Sequence, residues 1–209
     1  MKLTSKSLSD GSPVPERNAF GIPDPQTRMR FGENLSPHLA WSGVPDGTPS
    51  LVLLCHDPDV PSEADDVNRA DRDVPADLAR VDFFHWVLVD IPPDWTELEE
   101  GAFSRGVTPK GKSGPDAPHG LRHGLNDFTG FLAGDPDMAG EYYGYDGPCP
   151  PWNDPLRHHY VFTLYATDMA RCPVGGAFTG QDVRQVLQGH VLDRAGLTTT
   201  YSLNPALFE

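Results

Sequence analysis

No run in this chain approaches the roughly 20 apolar residues that a membrane-spanning helix needs, so integral membrane association is not expected. The opening stretch, Met1 to Asp10, holds Lys2 and Lys6 with no apolar segment behind them, and a secretory leader is not expected either. Positive charge is scarce: 16 Lys and Arg stand against 30 Asp and Glu, a formal net charge of −14. That balance argues against a nucleic-acid partner, whose binding depends on Lys and Arg displacing counterions, and against a polybasic grip on an anionic membrane. Cysteine is sparse, and Cys55, Cys149 and Cys172 form no CxxC pair. Free thiols in a reducing cytoplasm are the expected state, with Cys55 packed as a small hydrophobe. Also missing are an HExxH metal motif, a DxDxDG calcium loop and a GxSxG nucleophile elbow. His119 and His123 have i,i+4 spacing, but Pro118, Gly120 and Gly124 oppose the helix that would give it meaning. Neither a metal nor a cofactor is expected.

Glycine and proline are plentiful, 21 and 22 of 209 residues, which commits much of the chain to turns and irregular loops. Between them lie short apolar segments with strand character: Leu51–Cys55, Phe83–Ile91, Tyr160–Ala166, Leu197–Tyr201 and, less regular, Leu39–Trp41. The first is expected to end at His56-Asp57-Pro58. Helix signals are few. Thr179 with Asp182 reads as a capping box opening a helix that Gly189 stops, and Pro75–Arg80 as a single turn. The chain is therefore expected to be mainly β, a single domain over residues 1–209. Its architecture is a Greek-key-like β-sandwich with one or two small peripheral helices and long Gly/Pro-rich loops.

Two of those loops are long enough to suggest function. Residues 57–82 carry nine acids against three arginines, and residues 104–159 hold ten glycines and eight prolines. Beside them stand the candidate pocket residues. Pro58 pushes Asp57 out of the helical region and fixes the angle of its carboxylate, and a cis peptide at Pro61 would sharpen the strand's exit. Alternation places Asp57 and Asp59 on one face, although two prolines disturb it. The plainer reading of this run is a surface Asx-turn. His85 lies in a strand-like run, where a histidine is more often a satisfied core residue than a ligand. In His158-His159-Tyr160 alternation lets His158 and Tyr160 share a face that His159 cannot. Gly147-Pro148 ahead of Pro150-Pro151 makes a stiff loop with few free amides to offer a ligand.

Taken in order, these residues resemble the phosphatidylethanolamine-binding protein family, in its bacterial Raf-kinase-inhibitor-like branch, from about Leu3 to Tyr201. The carriers are Leu35-Ser36-Pro37-His38-Leu39-Ala40-Trp41-Ser42-Gly43-Val44-Pro45, Asp57-Pro58-Asp59-Val60-Pro61, His85-Trp86, Asn126-Asp127-Phe128, Gly147-Pro148-Cys149-Pro150-Pro151, His158-His159-Tyr160 and Gly189-His190-Val191-Leu192. The resemblance implies a β-sandwich with a small anion-binding cavity at one edge. Carried over residue by residue, its ligand-binding set is Asp57, Asp59, Phe83, His85, Gly147, Pro148, His158 and Tyr160. It implies binding of phosphate-like or phospholipid head groups rather than catalysis, with a protein partner such as a kinase or protease in some members. It also leaves a homodimer among the expectations. An acid–base hydrolase or isomerase using the same Asp/His pair is the alternative. Three departures stand out. His159 replaces the usual Arg, Ser62–Asp82 is longer than the usual link, and no counterpart of the eukaryotic C-terminal helix is evident. Kinase inhibition is accordingly not carried over. The electrostatic expectation is that Asp57 bonds His85 or His158, whose imidazolium then faces the anion.

Overall fold

The computed structural model of the chain describes residues 1–208. In chain order the strands are β1 (Lys2–Thr4), β2 (Gly21–Asp24), β3 (Arg28–Phe31), β4 (Leu39–Ser42), β5 (Ser50–Pro61), β6 (Arg80–Ile91), β7 (Glu97–Leu98), β8 (Arg122–His123), β9 (His158–Thr167) and β10 (Val191–Tyr201). Two short helices, α1 (Phe128–Phe131) and α2 (Gly180–Val186), complete the regular structure apart from single 3-10 turns. Five strands form an antiparallel sheet in the order β10-β9-β5-β6-β8, and β1-β4-β7 form a second, three-stranded sheet. Strands β2 and β3 make a separate hairpin.

The central strands are apolar at consecutive positions because both faces of the large sheet are covered. Leu51, Leu53 and Cys55 of β5 pack with Trp86, Leu88, Phe162 and Leu164 against Leu3, Leu39, Trp41 and Leu98 of the smaller sheet, and this is the sandwich core. Val52 and Leu54 point the other way, onto Phe178, Val183 and Leu187 in and beside α2. That helix is capped as its sequence signals. Thr179 Oγ1 accepts from the Asp182 amide, while Asp182 Oδ2 accepts from the Thr179 amide at 2.8 Å.

Each expected strand lies inside an observed one, but β5 does not stop at Asp57. It runs on to Pro61, and Val60–Pro61 is not cis; the cis peptide among the described residues is Gly114–Pro115. The turn at Pro75–Leu78 does not become a helix, and Arg80 already opens β6. Strand β5 persists by irregular pairing, and those irregularities position the site. Cys55 pairs Trp86 while His56 pairs Phe84, so His85 is an extra residue bulged out of β6. Further along, Asp57 pairs Phe83 and Val60 pairs Val81, which leaves Pro58 and Asp59 opposite the single residue Asp82. Pro58 has no amide hydrogen to give the ladder, and the bulge absorbs that lack.

Candidate functional site

The two bulges decide which side chains reach the end of the sandwich core. With His85 bulged, Phe83 and His85 both turn to one cavity, while Phe84 faces the opposite core layer. Asp57 continues the face of Leu53 and Cys55 and ends buried in the same place. Regular alternation in β9 brings His158 and Tyr160 there too. The cavity is small, about 50 Å³, room for the centres of a few water-sized groups. Its remaining walls are largely apolar: Val60, Phe128, Phe131, Cys149, Pro150 and Pro151, with Val67 and Asn68 from the acidic segment.

Its polar floor is a chain of buried ions. His158 Nδ1 lies 2.7 Å from Asp57 Oδ2 and Nε2 lies 3.1 Å from Asp154 Oδ2. Arg80 Nη1 donates to the same Asp154 oxygen at 2.5 Å and to the Asp59 carbonyl at 2.8 Å. Both imidazole nitrogens must carry protons to serve two carboxylates. Burial alone would lower the His158 pKa, but the hydrogen bonds from its ring to Asp154 and Asp57 outweigh it and push the value up to about 9. Burial likewise works to raise Asp154, and the bonds from His158 and Arg80 hold it below the usual carboxylate value. Asp57, Asp154, His158 and Arg80 thus form a chain whose formal charges cancel.

His85 is arranged differently. Its Nδ1 lies 2.8 Å from the Asp146 carbonyl, which makes Nδ1–H the donor and leaves Nε2 as an acceptor with no protein partner among the described residues. Burial lowers its pKa, and the nearby Asp57 only partly offsets this. The ring is neutral at pH 7 with an open lone pair. The Tyr160 ring packs edge-on to it, centroids 5.0 Å apart, and the buried Tyr160 hydroxyl completes no hydrogen bond of full geometry, although burial and the Asp57 carboxylate close by both raise its pKa. Two unspent polar atoms therefore remain in the cavity, an acceptor on His85 and a hydroxyl on Tyr160. The Cys149 thiol beside them is pushed up to about 12 by burial and is inert as a nucleophile.

Five of the eight residues singled out from the sequence, Asp57, Phe83, His85, His158 and Tyr160, meet in this cavity. Asp59 does not. The bulge at Pro58 turns its carboxylate to the outer side, where Oδ2 accepts from the His159 amide at 2.9 Å and lies 2.8 Å from His159 Nδ1. His159, which strand alternation kept off the pocket face, does face away, and it holds the carboxylate expected inside. Gly147 and Pro148 stand behind the wall. The Gly147 amide is spent on Asn34 Oδ1 at 2.8 Å, and the Pro148 carbonyl accepts from the amides of Phe20 and Gly21. The imidazolium expected to face an anion is also corrected: it belongs to His158, and both its nitrogens are occupied.

Sequence reasoning missed Asp154 and Arg80, and it showed the acidic segment only as a loop long enough to suggest function. Asp154 had a usable signal, since Asn153-Asp154-Pro155 is an Asx-turn four residues ahead of His158, and Oδ1 accepts from the Leu156 amide. The segment between β5 and β6 is not a solvated decoration. Asn153 Nδ2 donates to the carbonyls of Asp66 and Arg72, both at 2.8 Å, Asn153 Oδ1 accepts from the Asn68 amide, and Val74 is buried. Among the described residues no group of three or more His, Cys, Asp or Glu is placed to hold a metal ion, and no helix is long and apolar enough to cross a membrane.

Comparison with known proteins agrees with this architecture. The family model described as phosphatidylethanolamine-binding protein matches residues 4–202. The UPF0098 protein YbhB of Escherichia coli is 32% identical over 203 residues, covering 97% of this chain and all of the relative. A UPF0098 protein of Methanothermobacter thermautotrophicus is 34% identical over 204 residues, covering 96% and 98%. Among solved structures, E. coli YbcL, described as a new member of the mammalian PEBP family, superposes with a TM-score of 0.69 at 28% identity, covering 96% of this chain and 97% of that one. A putative phosphatidylethanolamine-binding protein homolog of Chlamydia trachomatis gives a TM-score of 0.62 at 28% identity, covering 96% of each chain. With the match spanning nearly every residue and the fold shared, this chain belongs to the phosphatidylethanolamine-binding protein family.

Proposed function

We propose that the chain is a non-enzymatic binder of small oxyanions, phosphate-like or carboxylate, held at the deep end of the cavity by His85 and Tyr160. The observation that carries this reading is the Tyr160 hydroxyl, buried without a hydrogen bond of full geometry, beside the free Nε2 of His85 in the same cavity. A buried hydroxyl costs free energy until a ligand pairs it, and the His85 ring lines the same cavity with its Nε2 lone pair free. An oxyacid with one O–H and one bare oxygen answers both, the O–H donating to His85 Nε2 and the oxygen accepting from Tyr160. Moving that proton onto His85 gives the same complex as an imidazolium and an oxyanion.

The geometry disfavours turnover. Asp57 Oδ1 accepts from the Asp59 amide at 2.8 Å and Oδ2 is taken by His158, so the Asp/His pair has no free base. His158 is already protonated at neutral pH, and no activated nucleophile stands in the cavity. His85 alone could take a proton, and it has no acidic partner positioned to complete a cycle. Modulation of a protein partner and homodimerisation belong to this reading as family expectations, and a cytoplasmic setting as the expectation from unpaired cysteines and an N-terminal stretch without an apolar leader.

The test is calorimetric titration with sulfate, whose charge is fixed across the range, and with phosphate, at pH 6 and pH 8. Affinity should rise as pH falls toward the His85 range, and Tyr160→Phe and His85→Gln should each weaken binding by about tenfold, the worth of one hydrogen bond to a charged group. Sulfate binding that is equal at the two pH values, or unchanged in both variants, refutes the assignment.

A further inference from the structure

The polar end of the cavity is too small for anything beyond a head group, so whatever an oxyacid carries must leave past the mouth. The acidic segment builds that mouth. Asn68 sits in the left-handed region, φ 57°, with its amide donating to Asn153 Oδ1 at 2.8 Å and its own Oδ1 accepting from the Trp152 amide at 3.0 Å. Those two bonds fix which way the carboxamide faces. Its Nδ2 makes no hydrogen bond among the described residues and stands exposed at the rim of the cavity. Between this donor and the deep end the wall is apolar, made by Val60, Val67, Phe83 and Phe131. Phe131 is 54% exposed, and Phe83 meets it edge-on with centroids 6.3 Å apart. Both phenyl rings, with Val60, continue into the adjoining open groove beside α1, of about 480 Å³. A half-buried Phe83 against an exposed Phe131, leading out of a polar pocket whose wall also holds Val67 and a fixed amide donor, is a surface for a flat apolar group with an acceptor at its far end.

We infer that the segment between β5 and β6 makes this pocket selective for oxyacid monoesters with one compact aryl or branched-alkyl body, the body lying between Val67 and Phe131 and Asn68 Nδ2 contacting an acceptor on it. The inference rests on the oxyanion reading of the deep end. On this inference a two-chain lipid binds less tightly than an ester with one compact body.

The experiment compares inorganic phosphate, 4-nitrophenyl phosphate and dihexanoyl phosphatidate below its micelle concentration, each titrated into the full chain at pH 6. The aryl ester should bind at least about tenfold tighter than phosphate, the return on burying roughly 60 Å² of apolar surface. Val67→Ala and Asn68→Gly, the latter compatible with the positive φ, should each lower the ratio of the two affinities by about three- to tenfold. Absorbance of released nitrophenolate reports any hydrolysis in the same samples. Phosphate binding with an ester-to-phosphate ratio of one or less, a ratio unmoved by both variants, or phosphatidate binding tighter than the aryl ester would each overturn the inference. Failure of phosphate itself to bind would instead remove the oxyanion reading beneath it.

Discussion

The buried ion chain makes a quantitative claim about His158. Its pKa stands near 9 against an ordinary 6.5, so its charged form stabilises the fold by about 3 kcal/mol. Because the folded value is raised, that contribution is fully present below about pH 6.5 and is lost as pH rises through about 9. The perturbation is His158→Gln, which keeps a polar side chain of similar reach but sets a neutral amide between the buried carboxylates of Asp57 and Asp154. At pH 7 the variant should be less stable by about 3–5 kcal/mol, the cost of leaving a buried charge without its partner. At pH 9 the wild type has itself lost half its imidazolium, so the gap between the two proteins should narrow by about 2 kcal/mol. Urea unfolding followed by tryptophan fluorescence reads this directly, since Trp86 is fully buried in the same core. The thiols of Cys55, Cys149 and Cys172, all raised by burial, also destabilise both proteins as pH climbs. They are common to the pair and cancel in the difference. A gap that stays constant from pH 7 to pH 9, or a His158 ring proton that titrates near 6.5 by NMR, would refute the ion-chain account.

Two further perturbations probe the walls of the site. Asn153→Ala removes the side chain that holds the Asp66 and Arg72 carbonyls and the Asn68 amide, so residues 62–79 should become the first site of limited proteolysis while the melting temperature falls by several degrees, reflecting about 1–3 kcal/mol of lost hydrogen bonding. Gly147→Ala places a Cβ 2.1 Å from the Asn18 carbonyl oxygen; the backbone there must move, and thermal unfolding should show a loss of about 1–3 kcal/mol, of the kind overpacking produces, although Gly147 touches no ligand.

Fold and site differed in how openly they were written in the chain. Leu51–Cys55 was readable as a strand because buried faces on both sides leave no polar interruption, and Phe83–Ile91 because its aromatic and β-branched residues outweigh His85 and Asp90. Thr179 and Asp182 were readable as a cap because the signal is local. Strand alternation correctly separated His158 and Tyr160 from His159, since β9 keeps its register. The same rule failed at Asp59, where Pro58 forces a bulge and reverses the side chain, and it could not show that His85 is itself bulged out of β6. Nor could spacing reveal Asp154 and Arg80 as partners. Arg80 lies 74 positions from the carboxylate it holds, and only the closed fold brings them together. The acidic run at 57–82 was readable as a loop long enough to suggest function, but its place in the pocket wall was not, because its anchor, Asn153, belongs to a distant turn.

A carboxylate in the proposed anion pocket poses a problem that the ion chain resolves in an unexpected way. If Asp57 merely charged a histidine that then faced the ligand, substitution at either residue would act on affinity. Here Asp57, His158, Asp154 and Arg80 come from β5, β9, the turn before β9 and the first residue of β6, and they neutralise one another. Their work is to clamp four segments at the end of the core, and they offer an incoming anion no net charge. On the proposed oxyanion reading the decision to bind falls on His85, whose protonation is disfavoured by burial until an oxyanion arrives to offset that cost. Binding should therefore take up close to one proton per sulfate at pH 8 and fewer as the pH approaches the His85 range. Calorimetry in two buffers of different ionisation enthalpy measures that number, and a value of zero at pH 8 would return the charge to His158 and undo the division of labour between clamp and receptor.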